Sequence, residues 1–179
     1  MGWRVLPHAM SAGFLGQEVV RLFLYIAAEL KAYLGSGNFM NMVQADVVAN
    51  LVERFLEDRT VRARDIGIVF WYDAQRKELC KRGLPKQIQI ANVDGFQGGE
   101  KDLMILTTVR SNSEHKTSSF FNCNNWLCVA LTRAKRAMTV VGDYATVWDG
   151  DEDGHWCSCL ESVPILTETF APMPRKELA

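Results

Sequence analysis

No Gly-Lys dipeptide occurs in the 179 residues, and this absence excludes a phosphate-cradling P-loop, whose lysine follows a glycine at the mouth of a helix. Charge of one sign is also lacking. The formal net charge is −1, so the chain has no global field and any contact with a polyanion must come from a local patch. Long apolar runs are missing: residues 22–28 form the longest one and end at Glu29 and Lys31, far short of the roughly 20 residues of a spanning helix. The five cysteines are odd in number and scattered, unlike a secreted disulfide framework, and point to a reducing compartment. Arg4 is followed by Pro7 and His8 where a signal peptide would be uniformly apolar, so an intracellular location, cytoplasmic or nuclear, is expected. What the chain does have is 48% hydrophobic residues, enough at this length for one sizeable core.

From Asn41 onward, helical and extended patterns alternate. Residues 44–58 carry Ala45, Val48, Leu51, Val52, Phe55 and Leu56 at helical spacing, with Asn41 placed to cap the start. Residues 66–71 read as a buried strand, and residues 73–82 as a short helix stopped by Gly83 and Pro85. Strands are predicted over 88–93, 102–109 and 137–141, and a helix over 124–134. Strands separated by helices predict an α/β fold, a parallel sheet with helices on both faces. Residues 18–34 predict an amphipathic helix that Gly35-Ser36-Gly37 separates from the regular pattern, and a short helix is predicted near 156–160 after an acidic loop. The expected organisation is an irregular or helical N-terminal extension over 1–35, the α/β domain over 36–166 and a disordered tail over 167–179.

Three segments carry residues suited to phosphate chemistry. Arg133 ends an apolar helix face made by Leu127, Val129 and Ala130; a planar guanidinium held there suits charge stabilisation on a transferred phosphoryl group. Taken alone it reads more readily as a cation favoured by a helix dipole. Gly98-Gly99 permits positive φ and close approach of backbone to a ligand, and Glu100 can accept from sugar hydroxyls or orient an arginine; a plain turn into a strand fits the same residues. Tyr72-Asp73-Ala74-Gln75-Arg76 lies where a strand ends and a helix begins, the carboxyl edge at which open α/β sheets bind ligands. His155-Trp156-Cys157-Ser158-Cys159 lacks the paired spacing of common zinc modules, so no metal site is expected.

Asn41-Met42-Val43-Gln44-Ala45, residues 66–76, residues 93–102, Thr107-Thr108-Val109-Arg110-Ser111-Asn112, and residues 129–136 followed by Val140-Val141-Gly142-Asp143 occur in one order. That series, covering roughly residues 36–162, resembles the second RecA-like domain of superfamily 1 helicases, in the branch containing the nonsense-mediated-decay helicase and senataxin. The resemblance implies a RecA-like P-loop NTPase fold lacking its own P-loop, with ATP and Mg2+ bound only in a complete two-domain enzyme. An N-terminal RecA-like domain outside this chain would supply the lysine and the magnesium-holding acids, and the other partner would be single-stranded RNA or DNA. By the same resemblance Arg133 and Arg76 are catalytic, Tyr72, Gln75, Gly99 and Glu100 bind nucleotide, and Thr108 and Arg110 bind nucleic acid. This chain has Phe70-Trp71 where the family has Thr-Pro, Trp126 and Cys128 where it has arginine and asparagine, and Gln44 where it has glutamate. Trp126 and Cys128, with the irregular N-terminal extension and the absent P-loop half, support a second reading, a truncated or degenerate RecA-like module for nucleic-acid or protein interaction without catalysis.

Overall fold

The computed structural model describes residues 19–27, 31–33, 38–96, 99–112, 114, 121, 123–161 and 163–167. Six strands form one sheet: β1 (Val20–Tyr25), β4 (Ile66–Phe70), β5 (Gln89–Asn92), β6 (Lys101–Thr107), β7 (Ala134–Gly142) and β8 (Ile165–Thr167). Their order is β5-β4-β6-β7-β1-β8, and every neighbouring pair is parallel. β2 (Lys31–Tyr33) and β3 (Asn38–Met40) make a separate antiparallel pair. The helices are α1 (Met42–Glu57), α2 (Asp73–Cys80), α3 (Asn124–Leu131), α4 (Tyr144–Asp149) and α5 (His155–Leu160).

A parallel sheet needs cover on both faces, and its strands accordingly read as continuous apolar runs. All five residues of β4 are buried. Leu51, Val52 and Leu79, from α1 and α2, pack on Ile66, Ile68, Leu103 and Ile105 on one face. Leu127, Ala130, Val147 and Trp156, from α3, α4 and α5, pack on Val69, Met104, Leu106 and Met138 on the other. Each of the buried Val, Leu, Ile and Met side chains contributes about 1.5–3 kcal/mol. Gly67 lies mid-strand because Phe96 and Met104 occupy the space of a side chain; a Cβ there would stand 3.0 Å from Phe96 Cε1 and 2.6 Å from Met104 Sδ.

The α/β class and the expected order of elements from Asn41 onward are found, and Asn41 caps α1 by accepting from the Gln44 N–H. The helix expected over 18–34 is not: residues 20–25 are β1, seated between β7 and β8. Leu22, Phe23 and Leu24 are buried in succession, a pattern that periodicity alone cannot tell from a buried helix segment. The sheet thus reaches back beyond residue 36 to Val20. α3 stops at Leu131, short of 134: Thr132 still closes a helical bond to the Cys128 carbonyl, but the Lys101 N–H takes the Arg133 carbonyl at 3.0 Å, drawing the chain into the sheet. β7 therefore begins at Ala134, not 137. Of the tail expected over 167–179, Thr167 is the last residue of β8, and the rest lies outside the described residues. No helix among the described residues is long and apolar enough to cross a membrane.

α1 and α2 are clamped by charge. The buried Glu78 carboxylate accepts from Arg82 Nη1 at 2.6 Å and from Lys81 Nζ, while Arg82 Nε donates to Asp46 on α1 at 3.0 Å. Hydrogen bonds from Lys81 and Arg82 hold the Glu78 carboxyl below its usual range. A carboxyl whose pKa is lowered by folding stabilises above its unfolded value, about 4.3, and that stabilisation is lost as pH falls through the folded value. Glu78→Gln is expected to cost roughly 1–3 kcal/mol at pH 7 and to flatten the acid side of the stability profile, read by urea denaturation from neutral to acid pH.

Candidate functional site

At the carboxyl edge of the sheet the chain builds a buried polar network. Gln44 Oε1 accepts from the Val109 N–H and from the Thr107 hydroxyl, both at 2.8 Å. Asn41 Nδ2 donates to the Val109 carbonyl at 3.4 Å. Gln75 completes the set: its Oε1 accepts from the Asn41 N–H at 2.8 Å and its Nε2 donates to the Asn41 carbonyl at 3.2 Å. What these groups hold is a γ-turn, in which the Arg110 N–H reaches the Thr108 carbonyl at 2.7 Å and Val109 takes φ 65°. A β-branched residue there is strained by about 1–3 kcal/mol and persists only where its surroundings over-determine it. Downstream, Ser111 Oγ donates to Asp143 Oδ2 at 2.6 Å, and the Asn112 N–H donates to Thr146 Oγ1 at 3.2 Å. Arg110 is half-buried, with its guanidinium carbon 4.7 Å from the centroid of the Phe39 ring.

At the opposite, amino edge a second group assembles. The chain leaves β5, passes Phe96, which is wholly buried, and enters β6 beside the Thr132-Arg133 link. Glu100 stands 3.6 Å from Lys135 Nζ, Arg136 Nε 3.6 Å from Asp102. Gly99, Glu100 and Arg133 are thus brought to one edge. The Arg133 guanidinium folds back on α3, with Nε donating to the Val129 carbonyl and Nη2 to Thr132 Oγ1, each at 2.9 Å. Arg76 is not brought to them. It is exposed in the first turns of α2, a helix packed on the face opposite α3.

Three expectations are corrected by burial. Thr108 is fully buried and fills the space above Gly142, where a Cβ would stand 2.1 Å from its Oγ1; it presents nothing to a strand. Gln75 is fully buried and spends both ends of its amide on the Asn41 backbone, so it is scaffold. Tyr72 is 8% exposed and lies edge-on beneath Phe39, ring centroids 5.3 Å apart, so its ring is no open aromatic surface. Gly99 lies outside the positive-φ region, and a Cβ there would meet nothing closer than 3.6 Å, so its own backbone makes no demand for glycine; Gly98 lies outside the described residues. A cavity of about 590 Å³ between α3, α5 and β7 is lined by Arg21, Leu131, Thr132, Met138 and Cys159 but not by Arg133. Among the described residues no three of His, Cys, Asp and Glu converge as a metal site. Burial, with the Asp151 and Asp149 carboxylates beside it, pushes the Cys157 thiol up to about 11.

The profile of the family described as "AAA domain" matches residues 15–145. The chain belongs to that family. Within it the chain is a helicase domain of superfamily 1, of the branch containing the nonsense-mediated-decay helicase. It is 36% identical over 132 residues to the regulator of nonsense transcripts 1 homolog of Arabidopsis thaliana, covering 68% of this chain and 10% of that protein. Identity is 40% over 115 residues with ATP-dependent helicase upf1 of Schizosaccharomyces pombe, covering 59% and 12%. It is 33% over 138 residues with the DNA polymerase alpha-associated DNA helicase A of the same organism, covering 74% and 20%. The helicase domain therefore spans between 10% and 20% of the length of these relatives. A solved C-terminal domain of a possible DNA helicase from Lactobacillus plantarum shares 14% identity at a TM-score of 0.48, over 76% of this chain and 83% of that one.

Phe39 carries no signal in the sequence, and Asn41 and Asp143 fall within the motif series, which by itself gives no sign that they belong to a buried network. The available signal was the polar pair Asn41 and Gln44 at the start of an otherwise apolar helix face. In the helicase domain Thr108→Val is expected to be at least as stable as wild type, because the Thr108 hydroxyl has no hydrogen-bond partner among the described residues, and to bind single strands unchanged. Gly142→Ala is expected to cost about 1–3 kcal/mol by overpacking, partly recovered by adding Thr108→Ala. Urea denaturation and strand titration check both; weakened strand binding in Thr108→Val would return that residue to the interface.

Proposed function

We propose that this chain is the second RecA-like domain, the C-terminal motor half, of an ATP-dependent helicase acting on single-stranded RNA or DNA. The observation that carries this reading is the junction of the β6 entry with the Arg133 link: the Lys101 N–H bonds the Arg133 carbonyl at 3.0 Å, so Gly99, Glu100 and Arg133 share one edge. Relatives named as acting on nonsense transcripts and relatives named as DNA helicases both match, so the strand is given only as single-stranded nucleic acid. With no Gly-Lys in the chain, the lysine for the phosphates comes from a partner domain. No magnesium ligand is assigned to this chain.

ATP bound against this edge would meet Arg133 from one domain and the P-loop from the other. The present partners of Arg133 are a neutral carbonyl and a hydroxyl. Phosphate oxygens carry formal negative charge and accept from the planar guanidinium fork in pairs, whereas its present acceptors are neutral, so a triphosphate at this edge would draw the guanidinium off α3. Glu100, 53% exposed and beside Lys135, is placed to accept from ribose hydroxyls or to orient a cation. Arg76, in the first turns of α2 at the carboxyl edge, stands apart from Arg133 in this domain and is kept as a second proposed cation, tested through the double variant. Arg110 supplies a phosphate contact to the strand, without base reading.

The isolated chain is expected to show no ATP turnover above background in a steady-state phosphate-release assay; robust turnover by pure protein overturns the two-domain reading. In the complete protein, Arg133→Ala is expected to reduce single-turnover hydrolysis by about 10³ to 10⁵ with little change in ATP affinity. Arg133→Lys should restore little, because an ammonium lacks the planar fork. Glu100→Gln should lose less. Non-additive losses in the Arg76→Ala, Arg133→Ala double variant would show both arginines acting on one phosphoryl group. Unchanged chemistry in Arg133→Ala removes it from the mechanism.

A further inference from the structure

Among the described residues Val109 is the one non-glycine residue at positive φ. Strain of this kind in a fully buried strand end asks what it achieves. Thr107, Thr108 and Val109 are wholly buried and Ser111 is 6% exposed, while Arg110 between them is half-buried with its guanidinium over the Phe39 ring. The turn interrupts the strand at the last residue before Arg110, and hydrogen bonds hold the segment on both sides: Gln44 and Asn41 before it, Asp143 and Thr146 after it. The result is one cation presented from a segment that is otherwise interior.

Gln44 is the group on which the turn most depends. One oxygen accepts from both Val109 N–H and Thr107 Oγ1, and Gln44 sits in the first turn of α1 with its own N–H capped by Asn41 Oδ1 at 3.0 Å. Its Nε2 has no hydrogen-bond partner among the described residues, so the side chain serves here as an acceptor.

We propose that Gln44 is a positioning residue for strand binding, whose carboxamide oxygen holds Val109 in the left-handed γ-turn and thereby sets Arg110 at the carboxyl edge. This rests on the reading of Arg110 as a strand contact. Gln44 touches no strand itself. Removing its acceptor frees Val109 to return to extended backbone, which redirects Arg110. A glycine at 109 takes positive φ without steric cost, so it removes the strain that Gln44 otherwise offsets.

The test uses the full 179-residue chain, a fluorescent uridine or thymidine single strand in anisotropy titrations over a salt series, and amide hydrogen exchange at Val109. Arg110→Ala is expected to weaken binding roughly three- to tenfold at low salt and to lower the salt slope by about 0.7, the loss of one phosphate contact on a single strand. Gln44→Met is expected to match that loss and to deprotect the Val109 amide, and adding Val109→Gly to restore affinity to within about twofold of wild type. Gln44→Glu, which keeps the acceptor oxygen, is the second variant should Gln44→Met not fold, and is expected to retain both affinity and protection. Loss of Val109 protection with wild-type affinity in either Gln44 variant overturns the proposal, as does failure of Val109→Gly to restore binding. If wild type shows no salt-dependent binding, or Arg110→Ala binds as wild type does, the strand-contact reading fails instead, and the exchange data still report whether Gln44 holds the turn.

Discussion

Everything in this domain follows from the need of a parallel sheet to be covered on both faces. β4, β6 and β7 are buried along almost their whole length, and the helices that cover them pack mainly apolar side chains against both faces. Polar and charged groups are therefore driven to the two edges where strands begin and end. The carboxyl edge holds Asn41, Gln44, Gln75 and Asp143; the amino edge holds Glu100, Arg133, Lys135 and Arg136. The division is topological before it is chemical.

The two edges handle their polar groups differently. At the carboxyl edge the groups are deeply buried and mutually bonded, and their net effect is to hold backbone, including one strained valine, in a fixed shape. Burial raises the stakes there, because each unpaired partner would carry a full desolvation penalty. At the amino edge the charges are half-exposed and their pairs are long, 3.6 Å for both Glu100–Lys135 and Arg136–Asp102. Exposed pairs of this kind contribute little stability, and they leave the side chains free to exchange partners. Rigid backbone on one side and adaptable charge on the other are what the proposed function asks of the two edges, a strand contact at the first and a nucleotide contact at the second.

Between them the faces are coupled by close packing. Phe96 sits on Gly67 of β4, so the turn of residues 94–96 that follows β5 is pressed onto the sheet, and Thr108 sits on Gly142 where β6 and β7 end. Glycine at these two positions is the consequence of another side chain's volume. Neither contact leaves space for an extra methyl group, and interiors at native density transmit such strain.

The sequence by itself determined the α/β class, the succession of elements from Asn41 to Gly142 and the family, because continuous apolar runs, helical spacing and turn residues are local and the motif order is linear. It also determined that Gln75, Tyr72 and Thr108 are polar residues near strand ends. Only the tertiary structure decided that they are buried, since burial depends on Asn41, Phe39 and Gly142, each distant from them in the chain. The strand at residues 20–25 was illegible for the same reason: a run such as Leu22-Phe23-Leu24 suits a buried helix as well as a central strand, and the vacant sheet position between β7 and β8 is what assigns it. The strain at Val109 could not be read at all, because a valine is among the residues least suited to positive φ, and the hydrogen bonds that hold it there involve two side chains more than sixty positions away.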